Sequence, residues 1–187
     1  MESSIVYFKN PGLVNTEEVF RIVRKRAEEL GIKTLLIAST RGEAAVMAAE
    51  AFQGFRTVFV THHTSYLKPN FQEFSEENRK IVESKGGIVL TTAHTFMGPS
   101  RAIRFKYNMS GLGDVIADTL RMFGEGMKVC CEITMMAADS GLVRTDEDII
   151  AIAGTVKGAD TAIVLTPVIS NDLFDLRVKE ILCKPRL

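Results

Sequence analysis

A short polar segment made of Ser39, Thr40, Arg41 and Gly42 separates two apolar stretches of the chain. It follows the apolar run at residues 35–38 and precedes an alanine-rich segment with the composition of a helix. The first amides of a helix have no intrahelical acceptor and attract anions. Two hydroxyls, a guanidinium and a glycine that lets the backbone approach a ligand therefore predict a phosphate-binding loop here.

The same segment also fits a purely structural role. A serine or threonine at this place serves equally well as a helix cap, with the arginine solvated. The segment matches neither G-x-x-x-x-G-K-[ST] nor G-x-G-x-x-G, the loops of P-loop NTPases and of dinucleotide-binding proteins. Both interpretations stay open on these residues alone.

The three histidines of the chain all follow predicted strands. Thr61, His62 and His63 come after one strand and His94 after the next, so we expect them at one edge of a parallel sheet. There they would hydrogen-bond a ligand or transfer a proton near neutral pH, and plain loop packing is the alternative. A metal-dependent hydrolase is a further hypothesis, but two consecutive histidines point in different directions, so we predict no bound metal.

An alternation of strands and helices must position these residues. Apolar runs predict strands at residues 5–8, 35–38, 57–60 and 88–90. Helices are predicted after an Asn15 cap with Glu18 as its capping-box partner, over residues 42–52, and from Ser75 to about Lys85. This order predicts a parallel sheet with helices on both faces.

The second half of the chain is less regular. Residues 91–113 show no clear period, so we predict a long irregular connection. Helices are expected at about 114–123 and 126–140, the second rich in Met, Ala and Cys and interpreted as core packing. Further strands are predicted within residues 148–154, within 158–167 and, at the edge of the sheet, within 175–184.

The amino-acid composition narrows the classes of partner that the protein is expected to bind. The chain has 187 residues, 46% hydrophobic and 25% charged, with 23 basic and 23 acidic side chains. We predict one domain over residues 1–187, and the zero net charge disfavours nucleic acid and membrane surfaces as partners. Neither a signal peptide nor a membrane-spanning stretch is predicted. Cys130, Cys131 and Cys183, odd in number and without a C-x-x-C, predict reduced buried thiols and a cytoplasmic location.

Several segments resemble a known family. "TLLIASTRGEAAVMAAEAF" followed by "FRTVFVTHH", and later "ITMMAADSGLVRTDEDIIAIAGT" and "GTVKGADTAIVLTP", resemble the C-terminal α/β domain of pyruvate kinase. The resemblance covers roughly residues 15–60 and 125–167. It implies a three-layer α/β/α sandwich with a mostly parallel mixed sheet, an antiparallel last core strand, and a topological switch between the strands that contain Leu35 and Ile150.

The resemblance also implies a site. Equivalent loops in pyruvate kinase hold a bisphosphate effector, and here they would contribute Ser39, Thr40, Arg41, Gly42, Gly154, Thr155, Gly158 and Thr161. Glu43 stands where the family usually has a hydroxyl. A chain of 187 residues leaves no room for the catalytic barrel, so we do not expect pyruvate kinase activity.

Stand-alone versions of this domain are similar over nearly the whole chain and imply FMN as cofactor. The histidine loops would join the phosphate loops around it, and Met97, Phe96 or Tyr107 would cover its rings. If the protein is an enzyme, a flavin-dependent oxidoreductase is expected. The alternative is a non-catalytic sensor of a sugar phosphate or nucleotide that signals through a homo-oligomer.

Overall fold

A computed structural model describes residues 4–186 of the chain. The predicted domain limits at residues 1 and 187 lie outside the described residues and stay a prediction. Short 3-10 helices occupy Leu13–Asn15 and Ser170–Asp175. The strands and α-helices follow one another as β1 (Val6–Phe8), α1 (Thr16–Leu30), β2 (Thr34–Ala38), α2 (Glu43–Ala51), β3 (Arg56–Val60), α3 (Glu76–Ser84), β4 (Ile88–Leu90), α4 (Gly98–Tyr107), α5 (Leu112–Arg121), α6 (Glu125–Asp139), β5 (Ile149–Ala153), β6 (Thr161–Thr166) and β7 (Arg177–Pro185).

The strands form one mixed sheet in the order β1-β7-β6-β5-β2-β3-β4. β2 pairs in parallel with β3 on one side and with β5 on the other, and β3 pairs in parallel with β4. β6 is antiparallel to both β5 and β7. The predicted mostly parallel sheet, its antiparallel strand and the switch between β2 and β5 are confirmed.

Helices cover both faces of the sheet, which confirms the three-layer architecture. On one face α1, α2 and α3 pack against side chains such as Leu35, Ile37 and Ile152. On the other face α6 packs against Leu36, Val58 and other strand residues whose side chains point to that face. The central strands are apolar on both faces, as expected for parallel strands between two helical layers.

The start of α1 differs from the prediction. Asn15 does precede the helix, but its side chain caps nothing and instead donates to the carbonyl oxygens of Asn10 and Gly12. Glu18 binds Arg21 on the exposed surface rather than closing a capping box. A preceding 3-10 turn holds Asn15 in a helical conformation, and the extended geometry that a capping residue needs is therefore lost.

Two further predictions for the second half were wrong. Residues 91–113 are not wholly irregular, because they contain α4, which begins with Pro99 in its first turn and ends at Asn108 in the left-handed conformation. β7 is not an edge strand, because it lies between β6 and β1 and pairs with both. The very short β1 takes the edge instead.

The three cysteines are free and buried, as predicted. Burial raises the pKa of Cys131 to about 11 and that of Cys183 to about 12, so both thiols are protonated near neutral pH. Within residues 4–186, no helix combines the length and hydropathy that a bilayer crossing requires.

Candidate functional site

A cleft of about 640 Å³ opens at the carboxyl ends of β2, β3 and β5. We call it the rim cleft: its walls are the β2–α2 loop, the loops that follow β3 and β4, the β5–β6 loop, and one side of α6. Its position is the crevice where open α/β sheets bind ligands, beside the switch in strand order. The candidate residues were predicted from the sequence to lie at this edge of the sheet.

The β2–α2 loop is held rigidly from behind. Gly42 has φ +106°, and a Cβ there would lie 2.6 Å from Cβ of Asn78, so only glycine fits. The carbonyl oxygen of Arg41 accepts hydrogen bonds from the Ser75 amide (3.3 Å) and from Asn78 Nδ2 (3.1 Å). The start of α3 therefore fixes the backbone of this loop, while the Arg41 side chain stays exposed on the cleft wall.

The two hydroxyls of the loop have different surroundings. Ser39 is buried, and its Oγ accepts from the Ala45 amide at 3.3 Å, so it caps the first turn of α2. Thr40 is half-buried and lines the cleft, with its Oγ1 3.5 Å from His62 Nε2. The capping interpretation therefore applies to Ser39, although it also lines the cleft, and Thr40 is the one of the two whose hydroxyl caps no helix amide.

A buried carboxylate organises the β5–β6 loop. Asp160 is fully buried, and its Oδ2 accepts from the amides of Gly12 (2.8 Å) and Thr155 (3.0 Å). Its Oδ1 accepts from the hydroxyl of Thr161 at 2.8 Å. Thr161 is itself fully buried, so the structure places Thr161 and the Thr155 amide in the support of the loop and not on the cleft wall.

Two glycines let this loop pack closely. A Cβ at Gly158, where φ is +73°, would lie 2.5 Å from Cα of Leu13. A Cβ at Gly154 would lie 2.3 Å from the carbonyl oxygen of Gly158. Both glycines line the cleft, as does Lys157 between them, whose side chain is exposed. The loop therefore presents backbone and one cation to the cleft.

The predicted convergence of the histidines is observed. The ring centroid of His94 lies 5.3 Å from those of His62 and His63. The Tyr66 ring packs against His62 at a tilt of 35°, with the centroids 4.1 Å apart. His62 and His94 line the cleft, whereas His63 turns its Nδ1 to the carbonyl oxygen of Thr64 at 2.7 Å.

Each cleft histidine has a defined polar partner. Nδ1 of His62 lies 2.8 Å from Oε2 of Glu73, a side chain that is 7% exposed. Nδ1 of His94 lies 3.3 Å from the sulfur of Met97. Burial lowers the pKa of His94 to about 4, although the nearby Glu132 carboxylate acts in the opposite direction. His94 is therefore neutral at physiological pH and serves as a hydrogen-bonding group.

Thr61 lies at the base of the cleft. It is buried, and its hydroxyl donates to the carbonyl oxygen of His62 at 2.8 Å while contacting Thr91 Oγ1 at 2.7 Å. Among residues 4–186, no group of three His, Cys, Asp or Glu side chains is arranged to hold a metal ion. Nothing in this geometry favours the metal-dependent hydrolase.

α6 carries a buried ion pair that was not predicted from the sequence. Lys128 and Glu132 are both buried and form a short ion pair in the cleft wall. Oε1 of Glu132 also accepts from the Phe96 amide at 3.0 Å. The spacing of the two charges, four residues apart in an otherwise apolar helix, was the available signal. Core packing is therefore an incomplete description of this helix.

The residues that cover the cleft also differ from the prediction. Met97 lines the cleft, but Phe96 is buried in a satellite core with Met135. Tyr107 is 60% exposed on α4. Tyr66, which the sequence analysis did not single out, lies on the cleft wall instead.

Charges of both signs line the cleft. The basic Arg121 and Lys128 are paired with Glu125 and Glu132, respectively. Within residues 4–186, neither Arg41 nor Lys157 has a salt-bridge partner. Glu43 carries the opposite charge: it is exposed at the start of α2 and lines the same wall.

Comparison with known proteins places this geometry in context. Residues 17–165 match the family described as "Pyruvate kinase, alpha/beta domain". Pyruvate kinase of Cryptosporidium parvum, solved in complex with ADP, is 12% identical, with 91% of this chain and 24% of that chain covered and a TM-score of 0.38. O-ureido-L-serine synthase is 22% identical, with 58% and 29% covered and a TM-score of 0.31. The chain thus spans between 24% and 29% of the length of these two proteins.

Proposed function

The chain belongs to the family of the pyruvate kinase α/β domain, and from this and the rim cleft we propose that it binds a phosphorylated small molecule, with FMN as the preferred ligand. The observation that supports the proposal best is the pairing of two glycine-containing loops across one cleft, each carrying a cation without a salt-bridge partner among residues 4–186. Arg41 and Lys157 are those cations.

A phosphate group suits the β2–α2 loop chemically. The first amides of α2 lack intrahelical acceptors, and the helix dipole favours a negative charge at this end. The guanidinium of Arg41 offers a fork of N–H donors, and Lys157 approaches from the facing loop. Glu43 opposes an anion, so we place the phosphate on the Arg41 side of the loop.

The rest of the cleft suits a flavin. Its volume of about 640 Å³ lies in the range of ligand pockets. Tyr66 and Met97 lie on the cleft wall, where Met97 offers a polarisable side chain to the rings and the neutral His94 offers a hydrogen bond to their polar edge. FMN would supply electron transfer when bound; the residues named here would bind and orient it.

Pyruvate kinase activity is not part of the proposal. Residues 4–186 form a single open sheet and contain no barrel of eight parallel strands. The proposed role is therefore ligand binding, with flavin-dependent redox chemistry as the reaction to examine if the protein is an enzyme.

Fluorescence titration of the purified protein with FMN and with riboflavin tests the proposal. Riboflavin lacks only the phosphate, so we expect it to bind at least about tenfold more weakly, a difference of roughly 1.4 kcal/mol. Arg41→Ala should weaken FMN binding. Arg144→Ala, which removes an exposed arginine paired with Asp146 before β5, is the matched control.

Three outcomes would separate the alternatives. Equal affinity for FMN and riboflavin would refute the phosphate loop. Binding of a sugar phosphate or nucleotide without any binding of FMN would favour the sensor. Failure to bind any phosphorylated compound would overturn the proposal.

A further inference from the structure

Three side chains of the rim cleft form a chain of contacts. Oγ1 of Thr40 lies 3.5 Å from Nε2 of His62, and Nδ1 of the same ring lies 2.8 Å from Oε2 of Glu73. A hydroxyl, an imidazole and a carboxylate in this order are the arrangement of nucleophile, base and orienting group. We propose that Thr40 and His62 are catalytic residues, oriented by Glu73, and that the rim cleft hydrolyses small carboxylic esters.

The imidazole is held in the orientation that a general base requires. A carboxylate accepts only, so Glu73 selects the tautomer with the proton on Nδ1 and leaves Nε2 free to accept from Thr40. The ring packs against Tyr66 with 4.1 Å between the centroids. The carbonyl oxygen of His62 accepts from the Thr61 hydroxyl (2.8 Å) and from Gln72 Nε2 (3.2 Å). Both its ring and its backbone are therefore fixed.

Thr40 occupies a suitable place for a nucleophile. It lies in the turn from β2 into α2, two residues before Gly42, which is the strand–turn–helix context of known hydrolase nucleophiles. Within residues 4–186, its hydroxyl has no partner other than His62. The separation of 3.5 Å is long for a hydrogen bond, and such contacts commonly shorten when substrate binds.

The oxyanion of the reaction would lie where the proposed function places a phosphate. The amides of Arg41 and Gly42 donate no hydrogen bond within the described residues and precede α2. Such amides stabilise the negative oxygen of a tetrahedral intermediate. The inference therefore rests on the anion-binding loop of the proposed function, but not on FMN as its ligand.

The chemical steps balance without a further reactant except water. Thr40 Oγ1 bonds to the carbonyl carbon of the ester as its proton passes to His62 Nε2. The bond from that carbon to the alkoxy oxygen then breaks, and the leaving alcohol takes the proton from His62. Water attacks the carbonyl carbon of the acyl-threonine and gives one proton to His62. The bond from that carbon to Thr40 Oγ1 then breaks, the carboxylic acid leaves, and His62 returns the proton to Oγ1.

Hydrolysis of 4-nitrophenyl butyrate by the intact protein tests the inference, together with labelling by a fluorophosphonate. We expect mass spectrometry to place the label on Thr40. Thr40→Ala and His62→Gln should each lower kcat at least about 100-fold, whereas Thr40→Ser should retain activity. Thr64→Ala, which removes an exposed hydroxyl outside the cleft wall, is the matched control.

Glu73 acts through His62, and its variants test that role. Glu73→Gln should lower kcat with little change in KM, and Glu73→Asp should restore part of the rate. If Glu73 had a purely structural role, Glu73→Gln and Glu73→Asp would not differ in kcat alone. Labelling elsewhere, or a Thr40→Ala protein with the wild-type rate, would overturn the inference even if other variants fail to fold.

The two proposals fail separately. Inorganic phosphate should inhibit ester hydrolysis competitively, because both ligands use the same amides. FMN binding without any ester hydrolysis or labelling would refute the triad and leave the proposed function standing. Ester hydrolysis through Thr40 that inorganic phosphate inhibits, without binding of FMN or another phosphorylated compound, would support the triad and refute the proposed function.

Discussion

Replacing Asp160 with alanine should be among the most damaging single changes to this protein. The carboxylate is fully buried and accepts from the amides of Gly12 and Thr155 and from the hydroxyl of the adjacent Thr161, so it ties the β5–β6 loop to the segment before α1. Alanine removes all three hydrogen bonds at once. Since the side chain anchors the β5–β6 loop, the change should affect both stability and ligand binding.

The size of the expected loss in stability follows from the three groups that donate hydrogen bonds to Asp160. Hydrogen bonds to a charged group contribute about 1.5–3 kcal/mol each, so three bonds set an upper range of roughly 4–9 kcal/mol. The half-buried Thr155 amide can turn to water after the substitution, and alanine also removes the cost of burying a charge. Both effects favour the lower end, and we expect a loss of about 4 kcal/mol in the free energy of unfolding.

Urea denaturation measures this loss. With a slope of about 2 kcal/mol per molar urea, the midpoint should fall by about 2 M. Asp160→Asn keeps one acceptor oxygen and nearly the same shape, so it should lose about half as much. Asp175→Ala, at an exposed aspartate in the second 3-10 helix, is the control and should stay within about 0.5 kcal/mol of wild type.

One result would refute this reasoning. If Asp160→Ala lowers the urea midpoint by less than about 0.5 M with an unchanged slope, the buried carboxylate is not a significant anchor. A normal midpoint combined with weakened FMN binding would instead assign Asp160 a purely local effect on the loop.

Three other predictions concern separate parts of the molecule. Gly158→Ala should cost about 2 kcal/mol more than Gly141→Ala in thermal or urea unfolding, because both have positive φ but only the first Cβ would meet a backbone atom, Cα of Leu13; equal losses would exclude the steric cause. Arg41→Ala should weaken FMN binding more at low salt than at high salt, because its charge is screened by ions; an unchanged affinity at both salts would remove this side chain from the site. Burial lowers the pKa of His94 from 6.5 to about 4, so unfolding takes up a proton between these values, and the stability present above pH 6.5 should fall by at most about 3 kcal/mol as the pH drops to 4. An imidazole midpoint near 6.5 in an NMR titration of the folded protein would contradict this.

The three layers and the sheet were predictable because they depend on the local pattern of apolar and turn residues along the chain. Leu35 to Ile37 form an unbroken apolar run, which suits a strand covered on both faces, and Gly31 ends α1 in the left-handed conformation, as its position suggested. α4 escaped prediction because none of its residues is buried, and Ile103, Phe105 and Tyr107 alternate with basic residues instead of recurring at helical spacing. Pro99 near its start was a genuine signal of a helix.

The sequence predicted where the candidate site lies in the fold, but not all of the residues that form it. The rule that parallel strands end at one edge brought Thr40, His62 and His94 together correctly. Glu73 and Asp160 could not be identified in the same way, because their partners are set by long-range packing rather than by spacing. Glu73 lies 11 residues from His62 in a loop without regular period, and nothing local marks it as the partner of that ring.

The pairing of β1 with β7 has a consequence for how the protein folds. Val6 aligns with Cys183, so β1, the first of the strands within residues 4–186, gains a hydrogen-bonded neighbour only from the last of them. Every other strand can pair with one closer to it in sequence. Long-range pairing of this kind slows folding. Because β7 is its neighbour in the sheet, we expect β1 to be the last of the described strands to join during folding.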